Sequence, residues 1–268
     1  MKKIILEGKI EFKFELNLKN LSKIDFEEKN LGKITVLYNN KEYKLKELFK
    51  IKIQKSDKNE LIIFGMNRNC DYLGWKWKKG ILRIKSDVGS FLGVQMIDGK
   101  IIVEGSCGHY AGSAITGGKI FIKSNAQDFV GSPLPGRKIG MNGGLIVIYG
   151  KAGNFLGLQM RRGVILVAKD VKNNCCNNMI AGTVILKKNF GNQLGLGMKR
   201  GSIILVKQKL KCANFIDTGE SRSIFLNLLN NYFSNVSDIK LFSKKDKFLR
   251  FVGDIKMDGM GEVFEKID

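Results

Sequence analysis

From Asn69 to Lys207 the apolar and polar positions of this chain repeat with a fixed period. Glycines at Gly80, Gly99, Gly118, Gly144, Gly163, Gly182 and Gly201 are separated by 19, 19, 26, 19, 19 and 19 residues, so one seven-residue insertion accounts for the single exception. Three residues before each lies a bulky side chain: Trp77, Met96, Ile115, Met141, Met160, Met179 or Met198. After each glycine runs a short apolar strand, with Leu82, Ile101, Ile120, Ile146, Ile165, Val184 and Ile203 in one column. A period this regular marks a repeat architecture, in which each unit buries its apolar face only against its neighbours.

Further columns define the turns. Gly74, Gly93, Gly112, Gly131, Gly157 and Gly195 open their units, and Cys176 stands in their place once. Two residues earlier come Tyr72, Phe91, Tyr110, Phe129 and Phe155, then Asn174 and Gln193. The position before those is polar throughout: Asp71, Ser90, His109, Asp128, Asn154, Asn173 and Asn192. Like stacks on like at one period only if successive coils lie in parallel register, about 4.8 Å apart. The pattern therefore predicts a mainly β fold, a right-handed parallel β-helix of about seven 19-residue coils over residues 67–209. The left-handed kind, with six-residue repeats and small turn residues, does not fit. His109 falls in a polar turn column, which points to a structural role.

Three features depart from a plain rod. Ile102, Phe121, Val147, Leu166, Ile185 and Ile204 form an apolar column where a solvated sheet face would be polar, with Arg83 in the first coil. That column needs cover, from the chain's own termini or from another protein. Lys78, Lys79, Arg161, Arg162, Lys199 and Arg200 occupy the two positions before the internal glycine. They form either a solvated turn face or a docking strip for an acidic protein or polyanionic cofactor. Finally, the insertion Ser132–Lys138 holds both prolines of the chain, Pro133 and Pro135, beside Arg137. A stiffened loop on a rigid scaffold is a natural contact site.

Outside the repeat, residues 1–66 read as an N-terminal β-rich cap or docking segment. Ile10, Phe12, Phe14 and Leu16 alternate with charged residues, predicting a half-buried strand, and Ile34–Tyr38, Leu48–Ile53 and Leu61–Phe64 predict others. Residues 210–268 read as a C-terminal cap with a helix over 221–233 capped by Ser221, followed by a strand-like stretch from Leu241 to Val252. Gly253-Asp254 and Gly259-Met260-Gly261 faintly echo the repeat.

Composition changes the picture little. The net charge is +21, but the lysines are scattered over strands and loops alike, which argues against a nucleic-acid footprint. No run of 18 uninterrupted apolar residues exists and the N-terminal apolar run ends at Glu7, so neither a membrane span nor a signal peptide is predicted, and a cytoplasmic location is expected. The five cysteines, Cys70, Cys107, Cys175, Cys176 and Cys212, contain no C-x-x-C, and His109 is the only histidine. This leaves no zinc or iron–sulfur cassette, no phosphate-binding loop and no H-E-x-x-H. Cys107 and His109 could form a nucleophile pair only with a third, orienting group. No catalytic, cofactor-binding or metal residue is expected in the chain.

The units GVQMIDGKIIVEG (Gly93–Gly105) and GLQMRRGVILVAK (Gly157–Lys169) resemble the thirteen-residue repeats of the GXGXG-repeat subunit of formylmethanofuran dehydrogenase. The insertion coil, Gly136–Gly157, is similar to the same family. Its GXGXG β-helix also forms the C-terminal domain of glutamate synthase. The resemblance is strong over the seven repeats and looser over the flanks, and Cys176 departs from it. It implies a scaffold subunit of an archaeal complex that reduces CO2 and forms N-formylmethanofuran from methanofuran. Other subunits of such a complex, one pterin-binding and one amidohydrolase-like, would hold a molybdenum or tungsten pterin, iron–sulfur clusters and a dinuclear metal site. Two alternatives stand beside it: a stand-alone GXGXG subunit of an archaeal glutamate synthase, and a β-helix binding a polyanion through its basic strip.

Overall fold

A computed structural model describes residues 1–26, 31–211, 213–243 and 245–267. Cys212 lies outside the described residues. The chain is mainly β. Among the described residues the strands form one sheet of thirteen and a second of four. In the large sheet the strands Ile81–Ile84, Lys100–Val103, Lys119–Ile122, Asn142–Ile148, Arg162–Val167, Thr183–Leu186 and Ser202–Leu205 lie side by side, all parallel. Their register is the one the glycine period demands: Leu82 pairs Ile101, Ile101 pairs Ile120, and Val184 pairs Ile203. Backbone hydrogen bonds also join the turns of successive units, as from Gly93 N–H to Leu73 O and from Gly112 N–H to Leu92 O, both 2.8 Å.

Both flanks extend the sheet. On one side Glu60–Phe64 pairs parallel with Ile81–Ile84, and Lys2–Gly8 pairs parallel with Glu60–Phe64. Phe49–Lys55 closes that edge antiparallel, and its Lys50, Lys52 and Lys55 discourage edge-to-edge pairing. On the other side the strand Gly261–Ile267 pairs parallel with Ser202–Leu205, Ile203 opposite Val263. The echo at Gly259–Gly261 is thus a further rung, reached after an excursion through a hairpin and a helix. The antiparallel strands Lys247–Gly253 and Phe215–Ser221 complete the sheet.

The strand expected over Ile10–Leu16 does not form: the strand is Lys2–Gly8, and only Leu16–Asn17 of the later stretch pairs. Phe12 and Leu16 are buried while Ile10 and Phe14 are exposed, so the two-residue alternation is broken. Tertiary packing overrides it. The Phe12 ring lies 5.5 Å from Phe49 and 5.7 Å from Tyr38, and its carbonyl accepts from the Asn67 and Asn69 side-chain amides. With Leu18, Leu21 and Phe26, whose ring meets Trp77 edge-on, it plugs the end of the inner core. Phe215 plugs the other end against Gly195 and Ile203.

The apolar outer column is covered by the chain itself. The helix Ile224–Val236 lays Leu226, Leu229 and Phe233 over Val147, Leu166, Ile185 and Ile204, with Leu241, Phe242, Phe248 and Phe264 completing a second core. Phe121 is buried in this cluster, which removes it as a contact surface. The helix starts three residues later than predicted, after Ser223, because Ser221 is engaged opposite Phe248 in the strand ladder. No helix is long and apolar enough to cross a membrane among the described residues.

Removing the Phe233 ring, which is fully buried between helix and sheet, creates a cavity: Phe233→Ala should cost about 3–5 kcal/mol in chemical denaturation. Leu228→Ala, on the exposed side of the same helix, should stay within about 0.5 kcal/mol.

Candidate functional site

The turns that precede and follow each strand are built from stacked side chains. In the first polar column each side-chain oxygen accepts from the backbone one unit on: Asp71 Oδ1 from Ser90 N–H (2.7 Å), Ser90 Oγ from His109 N–H (3.2 Å), and Asp128 Oδ1 from Asn154 N–H (2.7 Å). Asn154 and Asn173 pass the pattern to Asn173 and Asn192. Beside it the rings of Tyr72, Phe91, Tyr110, Phe129 and Phe155 stack nearly parallel, with centroids 4.5–5.4 Å apart. All five take positive φ, a conformation that bulky residues adopt only when the surrounding structure enforces it.

A second polar ladder, on Asp87, Ser106, Asn125, Asp170 and Asn189, is not among the columns predicted from the repeat. Ser106 N–H donates to Asp87 Oδ1 (2.7 Å) and Lys151 N–H to Asn125 Oδ1 (2.8 Å). Its signal was present as Asp, Ser or Asn three residues beyond five of the seven strands, with Lys151 and Gln208 at the other two.

His109 and Cys107 lie in the shallow groove between the ladders, of about 270 Å³. Cys107 faces the inner core, and burial pushes its thiol up to about 12. The half-exposed His109 imidazole instead lies 3.9 Å from Asp128 Oδ2, in the ladder's own column. Core and turn column thus claim the two side chains separately. Burial likewise raises Cys70 to about 11, and raises Cys176, whose Sγ lies 3.6 Å from that of Cys175. Cys176 replaces a unit-start glycine while keeping its left-handed φ, +61°. Among the described residues no three His, Cys, Asp or Glu side chains gather into a metal-holding group.

Gly80, Gly99, Gly118, Gly144, Gly163, Gly182 and Gly201 all have positive φ, and they turn the chain into each strand. Gly201 shows why: a Cβ there would sit 2.6 Å from the Gly182 carbonyl oxygen of the unit below. Immediately before these glycines the strip side chains Lys78, Lys79, Arg161, Arg162, Lys199 and Arg200 are exposed. Register is kept by Arg161 N–H to Met141 O (2.9 Å) and Lys199 N–H to Met179 O (2.8 Å).

The proline loop leaves the stack after Ser132, which is fully buried with its hydroxyl donating to Phe129 O (2.7 Å). It returns at Gly140, whose N–H reaches Gln159 O (3.0 Å). Pro133 is buried at the loop's base, whereas Pro135, Arg137 and Lys138 are exposed at its tip. The loop's return at Gly140 pairs with Gln159, two residues before Arg161, and Met141 O accepts from Arg161 N–H, so the base of the loop lies beside the strip, one unit away.

A thiol with a pKa near 12 is thiolate in roughly one molecule in 10⁴ at pH 8. Cys107 is such a thiol, and Cys70, Cys175 and Cys176 are likewise buried away from any reagent, so the native chain should leave at least four of its five cysteines unreacted with a colorimetric disulfide reagent at that pH, and all five should react in denaturant.

The GXGXG motif family matches residues 74–223, more than half of the chain. No curated protein sequence matches. Among solved structures, a chain of the formyltransferase/hydrolase complex (FhcABCD) from Methylorubrum extorquens, crystallised with methylofuran, is similar over its whole length. The TM-score is 0.86 and the identity 30%, covering 98% of this chain and 100% of that one. Family match and whole-chain likeness coincide on the repeat and its flanks: the chain belongs to the GXGXG motif family, as a protein like the GXGXG-repeat subunit of formylmethanofuran dehydrogenase.

Proposed function

We propose that this chain is the non-catalytic scaffold subunit of a formylmethanofuran dehydrogenase complex, located in the cytoplasm. The observation that carries the reading is the likeness to a chain of the FhcABCD complex, which extends over both flanks as well as the repeat. The buried, neutral thiols and the histidine held in a turn ladder support a role in positioning. In this reading the stack is a right-handed parallel β-helix whose regular spacing holds a pterin-binding subunit and an amidohydrolase-like subunit at fixed separation. Those partners would hold the molybdenum or tungsten pterin, the iron–sulfur clusters and the dinuclear metal site, and methanofuran would be the substrate of the assembly.

A second reading follows from the description of the solved relative, whose complex is a formyltransferase/hydrolase. In it the same scaffold would serve formyl transfer and hydrolysis on a furan cofactor with no reductive subunit. The glutamate synthase alternative has no comparable support.

Mass spectrometry and metal analysis of the native complex purified on this chain separate the readings. Molybdenum or tungsten together with iron in the purified complex supports the dehydrogenase. Their absence from an active complex that transfers formyl groups supports the second reading, and recovery of a glutaminase-like partner would overturn both. His109→Gln should leave the activity of the assembled complex within about twofold, since removal of a true acid–base catalyst costs 10²–10⁴.

A further inference from the structure

The edge that carries the basic strip also carries exposed apolar side chains, in the same columns. Ile97 N–H donates to Trp77 O and Lys199 N–H to Met179 O, which places Ile97 in the column of Arg161 and Lys199, three and five units away. Met260 is brought to the far end by the returning strand. Its N–H donates to Lys199 O (2.7 Å) and Glu262 N–H to Gly201 O (2.8 Å), so Met260 stands in the column of Arg162 and Arg200. Ile97 is 48% and Met260 70% exposed. Leu196, three residues before Lys199, and the loop residue Ile139, two before Met141, are exposed as well.

None of Arg137, Lys138, Arg161, Arg162, Lys199 and Arg200 makes an ion pair among the described residues, although acidic side chains elsewhere are paired with lysine or arginine, as in Arg83–Glu60 and Arg250–Glu262. Six uncompensated cations raise the local potential and favour an anionic partner. A solvated turn face accounts for the cations but not for Ile97 and Met260, because each exposed apolar side chain forgoes burial worth about 1.5–3 kcal/mol. Methionine at such a position adapts to an irregular facing surface. A polyanion would use the charges and leave the apolar positions in water.

We propose that this edge, from Ile97 through the proline loop to Met260, docks a partner subunit whose facing surface is acidic along its middle, opposite Arg161, Arg162, Lys199 and Arg200, and apolar toward its ends, opposite Ile97 and Met260. The proposal rests on the scaffold reading and names the chemistry of one of its contacts. Ile97, Ile139, Leu196 and Met260 supply the apolar contacts. Between those ends the arginines supply bidentate pairs to carboxylates of the partner, a geometry that lysine reproduces poorly. Six unit steps of about 4.8 Å separate Ile97 from Met260, giving an edge of roughly 30 Å, long enough for a standard protein contact.

The test compares two sets of exposed substitutions in the native complex, each checked for wild-type melting. One is Arg161→Glu, Arg162→Glu, Lys199→Glu and Arg200→Glu together; the other is Ile97→Asp with Met260→Asp. Partner retention is measured by native mass spectrometry and by dissociation across a salt series. Both sets should weaken retention of the same subunit by at least about tenfold, the charge set more at low salt than at high. Lys50→Glu with Lys52→Glu, in the terminal strand Phe49–Lys55 of the sheet, should change nothing. Wild-type retention in both sets overturns the proposal. So does loss in the charge set alone, which means a purely electrostatic contact. A raised Michaelis constant for the furan cofactor with the complex intact also overturns it, since that makes the strip a cofactor-steering surface. If the wild-type chain holds partners unrelated to furan chemistry, the functional reading fails. The docking surface stands in that case only if the two sets release those partners.

Discussion

Parallel register between units that repeat every nineteen residues is the constraint on which the remaining structure depends. Once Leu82, Ile101, Ile120 and their successors pair in line, every other position of the unit must also lie over its own kind. Each column then accepts only side chains that tolerate their own neighbours at about 4.8 Å. Flat rings satisfy this by stacking, and Asp, Ser and Asn satisfy it by accepting the next unit's N–H. The carbonyl of one internal glycine leaves no room for a Cβ on the next, so that column cannot hold anything else. Charged residues fit only where their ends reach water, as those of the strip do just before the glycines.

A stack built this way has two open ends and two faces, and the flanks exist to close them. Aromatic side chains from outside the repeat plug the inner core, Phe12 and Phe26 at one end and Phe215 at the other. Antiparallel strands finish the sheet on both sides. The outer apolar column makes a second core possible, and the excursion between Ser202–Leu205 and Gly261–Ile267 supplies the helix that fills it. The chain then re-enters the stack and carries Met260 to the end of the basic edge.

The repeat was legible in the sequence because a strict period turns each structural requirement into a visible column. The glycines, the aromatic stack, the first polar ladder and the buried strand positions could all be named by number. What was not legible depends on contacts far apart in the chain. The alternation at Ile10–Leu16 has the period of a strand, yet Phe12 is drawn to Phe49 and Tyr38, and nothing local encodes that pull. The apolar outer column announced that it needed cover and left two sources open, the chain's own C-terminal helix or another protein. The answer, Phe233 and its neighbours, took Phe121 out of the contact surface. Ser221 looked like a helix cap until its pairing with Phe248 claimed it for a strand.

The same constraint explains why chemistry is poorly served by the interior of such a stack and well served by its exceptions. A catalytic group needs a singular environment, whereas a column gives every residue the environment of the next. Cys107 and His109 illustrate this: two residues apart, they are sent to the core and to a turn ladder by the columns they occupy. An inserted loop or an interrupted column escapes the averaging. Asp98, Ile97 and Met260 interrupt the basic strip, and the proline loop interrupts the turn beside it. These positions distinguish one stretch of the edge from another, and a partner must read such differences to dock at one height and not slide by a unit. Regular columns set the spacing, and irregular ones set the address.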